Sequence, residues 1–203
     1  MEQDPNTQSP AVWKRKTALF FVSQSISLFG SSVVSFAIVW YVTLKTASGG
    51  WVAALTVCSF LPQTLISFVS GALADRLSKK WLIIGADAAI ALATLVLALL
   101  LPSLGDGTPV LAALLIASVV RSIGAGIQMP AVGAILPQFV PEEQLMRVNG
   151  INATLQSVVQ FAAPAAAGAI LSLGSLRSAL WIDIATAVVG IGILASLALP
   201  KQS

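Results

Sequence analysis

Six stretches of this chain are apolar over about twenty residues or more, and each is bounded by charged or turn-forming residues. About twenty such residues cross the hydrocarbon core of a bilayer. Inside that core every backbone N–H and C=O must find its partner within the protein, which leaves helices as the form a single apolar segment can take. The segments run over 17–44, 51–74, 81–101, 109–135, 142–173 and 177–199, with breaks at 45–50, 102–108 and 174–176 rich in turn formers. The expected fold is therefore all-α and integral to the membrane. A polar, proline-containing cytoplasmic tail over 1–13 leads into a six-helix transmembrane bundle over 14–203. A hydrophobic share of 57% against 9% charged residues excludes a soluble domain.

The same composition removes several chemistries. The chain has no histidine, so His-ligated metal centres and His-based triads are excluded, and no metal site is expected. Cys58, the one cysteine, lies in an apolar segment and is read as packing. The basic pI near 9.4 arises from loop cations rather than from a nucleic-acid surface, since no basic stripe with interleaved aromatics occurs. Lys14-Arg15-Lys16 resembles the start of a signal peptide, but the apolar run that follows is too long and lacks a small-residue cleavage site, so it is expected to be retained. An intramembrane protease and a filter-type channel also lack their residues, and no enzymatic activity is expected.

Loop cations set the orientation. With the N-terminus inside, Lys14, Arg15, Lys16, Arg76, Lys79, Lys80, Arg147 and Lys201 fall on one side, and only Lys45 and Arg177 on the other. The positive-inside rule then places both termini in the cytoplasm.

Four of the segments carry polar residues at helical spacing. The first has Gln24, Ser27, Ser31 and Ser35; the second has Thr56, Ser59, Gln63 and Ser67. The fourth has Ser118, Arg121 or Ser122, and Gln128; the fifth has Asn149, Asn152, Gln156 and Gln160. Such stripes mark faces turned away from lipid. They also fit the small polar residues that hold membrane helices together, and for the serines and threonines the two readings stand side by side. The third and sixth segments are nearly apolar, each with one aspartate, Asp87 and Asp183.

The order polar, polar, apolar-with-Asp thus occurs twice. Gln24-Ser-Ile-Ser stands beside Arg121-Ser-Ile-Gly, and Ala86-Asp87-Ala-Ala-Ile beside Ile182-Asp183-Ile-Ala-Thr. Three helices per copy is an odd number, so the second copy must be inverted in the membrane, a 3+3 inverted repeat. Arg121, near the middle of its segment, costs about 2.5–3.5 kcal/mol to insert and needs a counter-charge, a carbonyl cage or a wet cavity. Serving as an inter-helix clamp is the structural alternative.

The short loop Gly71-Ala-Leu-Ala-Asp75-Arg76-Leu-Ser-Lys79-Lys80 puts an acid at a helix C-terminus, where the macrodipole disfavours it. Gly71, one turn earlier, would admit a compensating partner closely. This run resembles the loop 2–3 signature of the major facilitator superfamily of secondary transporters, with Ser78 where the family usually has Gly and Lys79 where it has Arg. Arg121-x-x-Gly124-x-Gly126 resembles the family's helix 4 motif, whose Arg is implicated in proton coupling. The run from Leu136 to Asn149 is similar to the macrolide and multidrug-efflux branch. Ala163-Pro164-Ala-Ala-Ala-Gly168 departs from the Gly-Pro-x-x-Gly-Gly pattern of the antiporters.

The resemblance implies the N-terminal half of a twelve-helix fold. It implies a second six-helix half as partner, from a separate chain or a second copy, in the lipid bilayer of a bacterial inner membrane. The implied function is export of a small amphipathic substrate by alternating access, driven by the proton gradient, with no cofactor and no nucleic-acid partner. Gln24, Ser27, Ser31, Arg121, Gln128, Asn152, Gln156 and Gln160 would line the substrate cavity. Gly71, Asp75, Arg76, Lys79 and Lys80 would form the cytoplasmic gate, and Arg121, Asp87 and Asp183 are the candidates for proton coupling. The alternative class is a non-transporting membrane scaffold or assembly subunit built on the same six helices.

Overall fold

The computed structural model describes residues 10–105 and 107–197, apart from the side chains of 10 and 72–76. Six long helices follow one another: α1 Pro10–Thr46, α2 Gly49–Arg76, α3 Lys79–Leu100, α4 Thr108–Ile135, α5 Glu142–Leu173 and α6 Leu176–Ser196. A single 3-10 turn, Leu136–Gln138, joins α4 to α5, and no strand occurs among the described residues. All six helices are long and apolar enough to cross a membrane.

The ends follow local chemistry. Gly107 takes a φ of +121°, a conformation only glycine adopts readily, and Pro109 sits in the first turn of α4 behind it. Pro141 is the N-cap of α5 rather than its first helical residue, with Glu142 and Glu143 in the first turn facing the positive end of the dipole. Two boundaries depart from expectation. Helix α1 begins at Pro10, so residues 10–13 are helical and not part of a tail. Nothing from Ala11 to Lys16 breaks a helix, and the Thr17 hydroxyl donates to Trp13 O at 2.9 Å. Helix α6 ends at Ser196, short of the expected 199, because Leu197 is extended. Residues 1–9 of the expected tail lie outside the described residues.

Packing carries the repeat. α1 packs on α6 and α5, α4 packs on α3 and α2, and α3 meets α6. Exchanging α1 with α4, α2 with α5 and α3 with α6 returns the same set of neighbours. The register is antiparallel: Gln24 of α1 meets Gln128 of α4, while Ser31, further along α1, meets Arg121, earlier in α4. A half-fold of three helices repeated with inverted direction accounts for both observations.

Two apolar clusters close the bundle, one toward each end. Val33, Val34, Ile38, Leu97, Leu114, Ala163, Ala167 and Leu180 form one. Phe20, Phe21, Ile83, Ile135, Phe139, Val148 and Leu194 form the other, with the rings of Phe20 and Phe139 edge-on at 5.8 Å. Close approach is set by glycine. A Cβ on Gly126 would lie 2.7 Å from Gln63 O of α2, so only glycine lets α4 seat there. Between the clusters lies a polar belt, which positions the candidate site.

Candidate functional site

Arg121 defines the first polar node. Its Nη1 donates to Asp183 Oδ2 at 2.5 Å and to the Thr94 hydroxyl, and its Nη2 donates to Ser31 O at 3.0 Å and reaches Ser31 Oγ at 3.3 Å. The Thr94 hydroxyl lies 2.8 Å from Asp183 Oδ2 and 2.9 Å from Ile90 O. Four helices, α1, α3, α4 and α6, therefore meet on one guanidinium. Arg121 is 6% exposed and Asp183 1%, so the ion pair is sealed inside the bundle. Such a carboxylate and carbonyl offset the cost of burying a guanidinium.

The second node lies two helical turns away along α1 and α4, about 10 Å at 1.5 Å per residue. Gln128 Nε2 donates to Asp87 Oδ1 at 2.7 Å and approaches Gln24 Oε1 at 3.5 Å. Gln24 Nε2, Ser27 Oγ and Asp87 Oδ2 are buried and have no hydrogen-bond partner among the described residues. The Ser23 hydroxyl on the same helix donates to Gly190 O at 2.8 Å, locking α1 to α6.

The stripes therefore divide into two kinds. Those of α1 and α4 turn inward: Gln24, Ser27, Ser118, Arg121 and Ser122 are buried, and Gln128 and Ser31 are half-buried. Arg121, expected in the substrate cavity, instead clamps four helices, because Asp183 and Thr94 from distant segments reach it first. Ser122 has a related task. Its hydroxyl donates to Ser59 O at 2.6 Å and accepts from the Gln63 N–H at 2.9 Å. It bridges two groups that an unbroken helix would join directly, beside Pro62 inside α2.

The stripe of α5 stays outward, and that of α2 is divided: Thr56 is exposed, Ser59, Gln63 and Ser67 are half-buried, and Gln63 Nε2 donates to Met129 Sδ of α4 at 3.1 Å. Asn149 and Gln160 are exposed and Asn152 and Gln156 half-buried, and none of the four makes a side-chain hydrogen bond to another described residue. Thr56 and Thr64 of α2 are exposed and bond only to their own helix, at Val52 O and Phe60 O.

At the expected gate, residues Leu77 and Ser78 alone connect α2 to α3. Lys80 Nζ donates to Ala195 O at 2.8 Å and Leu197 O at 2.7 Å, capping the carbonyl end of α6. That fixes α3 to α6 within the bundle. Among the described residues nothing lies within 4 Å of a Cβ built on Gly71. Lys79 makes an interaction of its own, and the side chains of Asp75 and Arg76 lie outside the described residues. Among the described residues no cluster of three or more His, Cys, Asp or Glu could hold a metal ion.

Thr94 and Lys80 show what the sequence hid. Thr94 stands two turns from Asp87 on α3, as Gly190 stands two turns from Asp183 on α6, and that spacing is the signal that assigns it to a node. The partner of Lys80 is a helix end far along the chain, which no local pattern announces.

The sequence model described as Major Facilitator Superfamily matches residues 20–203. The chain is 33% identical to Macrolide efflux protein A of Streptococcus pyogenes over 189 residues, covering 93% of this chain and 46% of that protein. A protein of the same name from Enterococcus faecalis is 33% identical over 150 residues, 74% of this chain and 46% of its own length. The MFS-type transporter YvqJ of Bacillus subtilis is 24% identical over 165 residues, 81% of this chain and 38% of its own. The chain thus spans about half the length of the curated relatives it matches.

Proposed function

We propose that this chain, which belongs to the Major Facilitator Superfamily, supplies one six-helix half of a secondary active transporter that exports a small amphipathic molecule, driven by the proton gradient. The observation that carries the reading is the outward amide stripe of α5. Hydrocarbon offers Asn152, Gln156 and Gln160 no partner, and a buried unpaired amide costs about 1–3 kcal/mol on mutational scales. A second six-helix half across a water-lined crevice satisfies them, and it would come from a separate chain or a second copy. Rocking of the two halves about that crevice gives alternating access.

The named relatives support a drug-like substrate, since two of them carry the name of macrolide efflux. On this reading Gln156, Asn152 and Gln160 meet substrate, with Ser31 and Gln128 at the inner margin. The clamp at Arg121 holds the four helices that present them. Both termini face the cytoplasm, and the short α2–α3 connection forms the inner gate with Gly71, Asp75, Arg76, Lys79 and Lys80. The energy source is the proton gradient and no cofactor is required; the chemistry is non-covalent.

A specific observation favours the other class as well. The sealed Arg121–Asp183 pair is a folding element that a non-transporting six-helix scaffold would need equally. The experiment that separates the two uses proteoliposomes holding this chain alone, or this chain with the C-terminal half of the streptococcal macrolide efflux protein. Transport predicts macrolide movement that rises with an imposed pH gradient and collapses with a protonophore. A scaffold predicts no gradient-dependent flux in either preparation.

A further inference from the structure

The two polar nodes are copies of one another under the inverted repeat, and they are not equally furnished. The alignment that sets Gln24 beside Arg121 sets Ser31 beside Gln128, and the one that sets Asp87 beside Asp183 sets Thr94 beside Gly190. In one node Arg121 gives Asp183 a cation and Thr94 lends it a hydroxyl. In the other, neutral Gln24 stands in place of the arginine and Gly190 in place of the threonine. Among the described residues Asp87 is left with one side-chain hydrogen bond, from Gln128 to Oδ1, and a buried Oδ2 with no partner.

The other groups of this node point to the ligand of that orphaned oxygen. Asp87 is 5% exposed, Ser27 4% and Gln24 9%, and each has a polar atom without a partner. Ser27 Oγ lies where a side chain at Gly190 would begin, so α1 delivers a hydroxyl to the place that Thr94 fills in the other copy. Among the described residues no cation pairs with Asp87. The membrane-embedded part of α2 is uncharged, α1 and α4 bring Gln24, Ser27 and Gln128, and Arg121 on α4 is already paired with Asp183 of α6. A metal ion fits poorly, because Gln128 turns N–H groups and not oxygens toward the carboxylate. A proton fits: it needs a single oxygen and makes the carboxyl a donor, among side chains that are all uncharged.

We propose that the Gln24–Ser27–Asp87–Gln128 node is an exchangeable proton site, loaded at Asp87 Oδ2, and that the Arg121–Asp183 node is its permanently neutralised copy. The inference deepens the transport reading by separating the residue that carries the coupling proton from those that only hold the fold. Along α3, Asp87 lies eight residues from Lys79, about 12 Å from that helix end. On the orientation proposed above, that helix end is the cytoplasmic one.

The test is infrared difference spectroscopy of the purified chain in nanodiscs, stepped between acid and alkaline buffer. A protonated-carboxyl band that disappears at alkaline pH is expected, absent from Asp87→Asn and shifted in Asp87→Glu. It is also expected to vanish in Gln24→Arg, which installs the missing cation. Labelling aspartate with carbon-13 moves the band without any substitution, so the result does not depend on a variant that folds poorly. A band unchanged in Asp87→Asn, no titrating band at all, or a response to sodium at fixed pH in place of the pH response overturns the proposal. Flux without this band would sink the site and leave transport standing; the band without flux would do the reverse.

Discussion

Replacing Asp183 with leucine removes the counter-charge of Arg121 and nothing else of comparable size. The guanidinium is then left with Thr94 and the Ser31 carbonyl in a site where its side chain is 7% exposed. At 2.5 Å and an effective dielectric of about 20 the direct attraction is ~7 kcal/mol before the cost of desolvating both ions is set against it. Removing one partner from a buried pair costs about 3–5 kcal/mol. For a chain of this length that corresponds to a fall in unfolding midpoint of roughly 6–20 °C. Arg121→Met is expected to cost a similar amount, since it strands the Asp183 carboxylate. The double variant Arg121→Met/Asp183→Leu removes both charges and leaves an apolar pair, which in buried sites is often neutral or stabilising. Reversible unfolding in mixed micelles, followed by circular dichroism and tryptophan fluorescence, measures all four species. The clamp predicts two costly singles and a double within about 1 kcal/mol of the parent, a coupling far above that of independent sites. Singles that each cost under about 1 kcal/mol, or a double that costs their sum, would refute the clamp and return Arg121 to a wet cavity.

Ser122→Ala leaves the Gln63 N–H and Ser59 O of α2 without their bridge and should cost about 1–3 kcal/mol in the same unfolding assay, whereas Ser35→Ala, on an exposed hydroxyl bonded within its own helix, should cost little. Gly126→Leu drives a side chain into Ile66 and Gln63 of α2, and the purified protein should show α2 more accessible to protease than in the parent. Lys80→Met uncaps α6 and should lower stability by about 0.3–1 kcal/mol, with faster hydrogen exchange confined to the last turn of α6. Gln156→Ala should leave stability within about 0.5 kcal/mol, since its half-buried side chain makes no hydrogen bond to another described residue, while lowering macrolide flux in the co-reconstituted assay.

What could be read from the chain follows from the physics of each signal. Hydropathy located all six spans, because lipid demands long uninterrupted apolar helices, and the segment 142–173 coincides with α5, Glu142–Leu173. The inverted repeat was legible in the recurrence of Asp87 and Asp183, and the packing of α1 on α6 mirrors that of α4 on α3. The direction in which each polar stripe faces was not legible. A stripe at helical spacing has the same period whether it meets a neighbouring helix or a crevice, so Gln24 and Arg121 could not be told from Asn152 and Gln156. Contacts between distant segments decide that, as Thr94 and Asp183 do for Arg121. The start of α1 was missed because the cations at 14–16 read as a boundary, although Lys and Arg are good helix formers.

The central claim is that the outward polar face of α5 borders water and a second six-helix half, while the backs of α3 and α6 meet lipid. Single cysteines introduced in a Cys58→Ser background at Gln156, Gln160, Leu92 and Val188 report it directly, through labelling by a membrane-impermeant maleimide in intact bilayers. The account predicts labelling at Gln156 and Gln160 that a macrolide slows, disulfide trapping of those positions against the partner half, and no labelling at Leu92 or Val188, which are exposed on α3 and α6. Equal protection at all four positions would contradict it, since α5 would then lie in hydrocarbon like the rest.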